Sequence, residues 1–322
     1  MNRIKFIIGG IFLTLFLNTG VIFVDSYIFQ INARRIKNIN AEDINLTLAR
    51  LKTEYPRLDF SDIAYPSILH RLWKQIRILG VNFEQFINQI YQGIEEIEKA
   101  AEEKLSGRKL QFMGIKLEIG RRYFATHDPL RHFLHLNIQA LLNLANKIED
   151  FDSERFIKGI TAHEMAHEVI GLSNVIGNDG DITPEDWLRR FSEGIELRYV
   201  EGLQFNPELL LKQFDALTAF EILDEIAGDK ISTELAGEDY IYTQTVIFQE
   251  ALVDDSDKEV GINLVPAVTL LIYFKENGLT ELSEQLRNMI YEKYNLVLGE
   301  ELESALRRYY RSIRFKTDVY KE

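Results

Sequence analysis

Ile160-Thr161-Ala162-His163-Glu164-Met165-Ala166-His167-Glu168 is the stretch on which the reading of this chain turns. Two histidines stand four positions apart, and a glutamate directly follows the first. On a helix, side chains at i and i+4 share a face, with Cβ atoms about 5–6 Å apart. Two imidazoles so placed can grip one Zn²⁺ at about 2.0–2.1 Å each. Glu164 then lies beside the metal, where it can take a proton from an attacking water and pass it to a leaving amine. The flanks predict a helix. Phe156, Ile157, Ile160, Met165, Val169 and Ile170 recur at helical steps, and Gly171 supplies a stop.

Upstream, residues 41–106 read as helices. Apolar residues recur at three- and four-residue steps through Phe83 to Tyr91, and a charged helix follows from Gly93 to Leu105, with Gly107 ending it. This region carries no evident chemistry and reads as a packing subdomain or spacer. Leu110, Phe112, Ile115, Leu117 and Ile119 predict a strand, or a hairpin bent at Met113-Gly114. A second strand is expected at Phe133 to Ile138, and it is a candidate edge along which an extended substrate would lie. His127, His132 and His135 lie near it and read as structural. From Ala140 onward the pattern is helical. Thr183-Pro184 and Asn206-Pro207 mark helix starts, and Gly278-Leu279-Thr280 ends one helix and opens another. The expected fold class is α+β, mainly helical, with a small sheet, a motif helix and a helical C-terminal half.

Composition narrows the partners. The chain has 322 residues, of which 46% are hydrophobic, and a formal net charge of −13. Such a surface repels nucleic acid and anionic lipid heads. With no cysteine, disulfides and thiolate metal sites are excluded, so any metal rests on His, Asp or Glu. Arg3 and Lys5 precede an uncharged run from Phe6 to Val24. That layout predicts a membrane anchor that keeps the rest of the chain outside the cytoplasm, the alternative being a cleaved secretory signal. The expected organisation is a segment 1–27 of this kind, a helical region 28–106 and a catalytic domain 107–322.

A catalytic zinc needs three protein ligands and an open position. A metzincin would place Gly and His where this chain has Ile170 and Ser173, and no His follows His167. A later carboxylate is therefore the natural third ligand. Ser192-Glu193-Gly194-Ile195, led by Trp187-Leu188, resembles the N/S-E-G-x-A signature of gluzincin peptidases. That resemblance covers roughly residues 109–320 and implies a zincin-like fold with Glu193 as the zinc ligand. Where that family has Ala, this chain has Glu196, which could back a ligating His or face solvent. A rival lies in Glu225-Ile226-Ala227-Gly228-Asp229. It is similar to the E-x-x-A-D element of heat-shock and prenyl-peptide zinc proteases, with Gly228 in place of Ala, and implies Glu225 as the ligand. An oxyanion needs a donor, and Tyr240 and Tyr242 lie about where related families place one.

The expected function is zinc-dependent hydrolysis of a peptide or protein substrate, with His163, His167 and Glu193 on the metal and Glu164 as base. The alternative from another class is a non-catalytic binding or scaffold protein of the cell envelope.

Overall fold

The computed structural model describes residues 41–64, 82–105, 110–119, 123–148, 150–172, 182–253 and 264–316, together with Ile68, Leu72 and Gln75. In chain order the elements are α1 (Ala41–Glu54), β1 (Leu58–Asp59), α2 (Phe83–Lys104), β2 (Gly114–Glu118), β3 (Ala125–Asp128), β4 (Phe133–Asn137), α3 (Ile138–Lys147) and α4 (Ser153–Ile170). There follow α5 (Pro184–Glu193), β5 (Val200–Glu201), α6 (Glu208–Leu211), α7 (Ala216–Ala236), α8 (Glu238–Val253), α9 (Leu264–Glu276), α10 (Thr280–Tyr294), α11 (Glu300–Ser312) and β6 (Arg314–Phe315). The fold is mainly helical with a small mixed sheet, as the sequence predicts.

The motif helix α4 forms where expected, and its caps explain its length. The Asp152 side chain accepts from the backbone N–H groups of Glu154 and Arg155, and Gly171 closes the helix in the left-handed region at φ 67°. Its apolar residues lie on more than one face, because α2, α7 and α8 all pack against it. Helix α2 runs unbroken through Gly93, so the two expected helical stretches are one. A Cβ at Gly93 would lie 3.1 Å from Ile157 Cγ2, and the glycine marks where α2 and α4 meet. The described residues of the region 28–106 therefore contribute to the same core as the motif helix, and β1 joins the main sheet.

The four-stranded sheet has the order β1-β2-β4-β3. β2 pairs in parallel with β1 and with β4, and β3 pairs antiparallel with β4, setting Thr126 opposite His135. Of the two expectations for residues 110–119, the single strand is correct and the hairpin is not. Gly114 is the first residue of β2. The hairpin is β3–β4, where Asp128 Oδ1 accepts from the N–H groups of Leu130 and Arg131 and so shapes the turn. The edge strands among the described residues are consequently β1 and β3, and the expected edge strand, β4, is internal.

Residues 6–24, on which the anchor or signal was read, lie outside the described residues. Among the described residues no helix is long and apolar enough to cross a membrane. This corrects the expectation of a membrane-anchored, extracytoplasmic protein, which finds no support in the structure.

Gly159 sits where α4 and α8 are in closest contact. A Cβ there would fall 2.1 Å from Thr243 Oγ1 and 2.7 Å from the carbonyl oxygen of Asp239. Gly159→Ala must push α8 away, and overpacking of this kind costs about 3 kcal/mol. Urea denaturation should show that loss; a variant as stable as the parent would mean that the two helices are not held this close.

Candidate metal centre

His163 and His167 project from one face of α4 toward α7, and their rings stand edge to face at an interplanar angle of 89°. Their Nε2 atoms are 3.2 Å apart. From α7, Glu225 brings one carboxylate oxygen to 3.2 Å from His163 Nε2 and the other to 3.6 Å from His167 Nε2. Ligands about 2.0–2.1 Å from a tetrahedral metal lie roughly 3.3 Å from one another. The three side chains therefore have the spacing of a metal site, and they form a group able to hold an ion.

The remaining ring nitrogen of His163 is hydrogen-bonded from behind, and that of His167 faces a carboxylate. His163 Nδ1 lies 3.0 Å from the Tyr240 hydroxyl. That hydroxyl donates to Asp229 and accepts from Gln244 Nε2 at 2.5 Å. Its one proton is thus committed, so toward His163 it accepts, Nδ1 carries a hydrogen, and Nε2 is the nitrogen turned to Glu225. Behind His167, Asp224 Oδ2 is 3.6 Å from Nδ1. A carboxylate behind a ligating imidazole orients it and raises its basicity. Gly228 lies against both rings: a Cβ there would lie 3.3 Å from His167 Cε1, a tight contact, and 3.7 Å from His163 Cε1, an ordinary one.

Electrostatics follow from this crowding. Burial disfavours the charged form of Glu225, but His167 and His163 outweigh it and hold its carboxyl below the usual range, at about 2. Burial likewise opposes a charge on His167, yet Glu225 and Asp224 push it up to about 10. Burial raises Asp229 to about 7, against the pull of His163 and the Tyr240 hydrogen bond. Glu225 is thus ionised, as a ligand must be, and the imidazoles hold in a proton the positive charge that a metal would supply.

The cluster opens into a cavity of about 500 Å³. Glu164, Asp224, Glu225 and Asp229 line it, and among the described residues no Lys or Arg does. Ala125, Thr126 and His127 of edge strand β3 form part of its wall, with Ile247, Pro266 and Leu270 on α8 and α9 among its apolar residues.

The structure does not bring Glu193 to the imidazoles, which corrects the reading of it as third ligand. Helix α5 buries Trp187, Leu188 and Phe191. Glu193, two residues past Phe191, falls on the outer face and pairs with Arg189 at 3.0 Å, both side chains being exposed. Glu196 is exposed as well. Tyr240 lies behind His163, away from the cavity side of the ring, and Tyr242 accepts from the Asp152 backbone N–H at 2.7 Å. Neither is an oxyanion donor in this arrangement. Asp224, Asp229 and Gln244 were missed as supporting residues. The acidic pair 225/229 was visible, but nothing in one sequence shows which face of α7 meets α4.

No family model matches the chain, and neither a curated protein nor a solved structure matches it.

Glu225→Ala should weaken zinc binding by at least about 100-fold, read by competition with a chromogenic chelator. Glu193→Ala should leave it unchanged, since its partner is an exposed arginine. The reverse pattern would return the third ligand to α5.

Proposed function

We propose that this chain is a zinc-dependent hydrolase of peptide bonds, with zinc held by His163, His167 and Glu225 and protons moved by Glu164. The observation that carries this reading is the pairing of ligand spacing with charge. Two ring nitrogens and the two oxygens of one carboxylate stand 3.2–3.6 Å apart, close to tetrahedral spacing, in a cavity lined by four carboxylates and, among the described residues, by no Lys or Arg. A divalent cation is the charge that such a cavity accommodates. Two imidazoles and one carboxylate, with thiolate excluded, suit zinc.

Bound there, zinc supplies Lewis acidity, lowering the pKa of a water toward about 7 and polarising an acyl carbonyl. Glu164 is buried, one residue from His163 and within the same cavity. It takes the proton of the attacking water and delivers it to the leaving nitrogen. Asp224 faces the His167 ring at ion-pair distance, and Tyr240, itself bonded to Asp229 and Gln244, holds that of His163. Strand β3 favours a peptide over other acyl substrates. Among the described residues it has β4 on one side only, and it lines the cavity, so an extended peptide can pair with its outer edge beside Glu164.

This reading is zincin-like and of gluzincin type. The resemblance that supports it now runs through Glu225-Ile226-Ala227-Gly228-Asp229 rather than through Ser192-Glu193-Gly194.

Glu164→Gln keeps the shape and removes the base. It should bind zinc as the parent does and lose about 10²–10⁴-fold in turnover of a peptide-library substrate. Undiminished hydrolysis in the variant would rule out the assigned role. A parent that binds zinc and cleaves no peptide would favour a binding or scaffold protein.

A further inference from the structure

A second group of ligating side chains lies one residue beyond the first. His127 on β3, His132 in the β3–β4 turn and Glu168 on α4 bring ligand atoms within 4.8 Å of one another. The two oxygens of Glu168 are divided between the imidazoles, Oε2 lying 2.6 Å from His127 Nε2 and Oε1 2.8 Å from His132 Nδ1. We propose that His127, His132 and Glu168 form a second site for a zinc-like divalent cation, distinct from the cluster at Glu225.

Two observations point to a cation rather than to a hydrogen-bonded ion pair. His127 is almost wholly buried, its side chain 3% exposed. Yet neither of its ring nitrogens, nor Oε2 of Glu168, makes a hydrogen bond of acceptable geometry. Two buried polar atoms that approach this closely without a proton aligned between them converge as ligand atoms do, and a buried group left unpaired in this way is costly. The donor set also fits. Two nitrogens and a carboxylate with one solvent-facing side give three protein ligands and open positions, and imidazole selects zinc-like ions over calcium or magnesium. Loading requires the nitrogen–oxygen pairs to open by roughly 0.5 Å toward tetrahedral spacing. His132 is half exposed on a turn and can make that movement.

The position gives the site a task. Glu168 directly follows His167 on the motif helix, and His127 belongs to the edge strand that lines the cavity. A metal here staples the edge strand to the motif helix and fixes the width of the cleft between them.

Zinc content by elemental analysis, after loading and gel filtration of the whole chain, separates the two sites. The parent should hold two zinc ions, His132→Ala one, Glu225→Ala one, and the double variant none. On adding zinc, His132→Ala should gain less in melting temperature over its own metal-free form than the parent gains over its own. A parent that takes up only one ion, or a His132→Ala chain that still takes up two, overturns the second site. If His132→Ala loses one ion and Glu225→Ala loses none, the second site stands and the assignment of Glu225 fails instead.

Discussion

The arrangement depends on one packing contact, that of the motif helix α4 against α7. His163 and His167 are fixed on one helix and Glu225 on the other, and only their approach creates a group of ligand atoms 3.2–3.6 Å apart. Close-packed helices hold such distances well, because interior packing leaves little room for sliding. Gly228 lies at this contact, where a Cβ would press on the ring of His167. The rest of the molecule braces this pair. α2 and α8 cover the other faces of α4, and α5, α9 and α11 support α7.

Charge is the second constraint. Buried carboxylates without cations are expensive, and the usual solution is a salt bridge or a metal. Elsewhere the chain uses salt bridges: Arg57 pairs with buried Glu98 through both guanidinium nitrogens, and Lys275 pairs with Glu303. Around His163 and His167 it uses none with Lys or Arg among the described residues. The negative groups there face imidazoles, and a tyrosine bonded to Asp229 holds the ring of His163. A site built this way is suited to exchange a proton for a metal ion, and its remaining carboxylate, Glu164, is left to do acid–base work.

Much of this was legible in the sequence, and the reasons for the rest are specific. The i, i+4 histidines, the Asp152 cap and the Gly171 stop are local signals, and local signals placed α4 and its ligands. The breaks at Thr183-Pro184 and Gly278-Leu279-Thr280 were local too. The third ligand is not a local matter. Ser192-Glu193-Gly194 matched a familiar pattern, but Trp187, Leu188 and Phe191 decide which side of α5 faces the core, and they turn Glu193 outward. Glu225 lies on a helix with apolar residues on several faces, so periodicity could not show which face meets α4. The same ambiguity affected β2. It is covered on both faces, which erases the alternation that separates a single buried strand from a hairpin. Edge position was misjudged because strand order in a sheet is a tertiary property, and β3 is short and polar.

Anomalous diffraction at the zinc edge, from crystals of the zinc-loaded chain, tests the central claim most directly. The account predicts a peak about 2.0–2.1 Å from Nε2 of His163, Nε2 of His167 and a carboxylate oxygen of Glu225. Zinc seated against Glu193, or no peak between the two imidazoles, would contradict it.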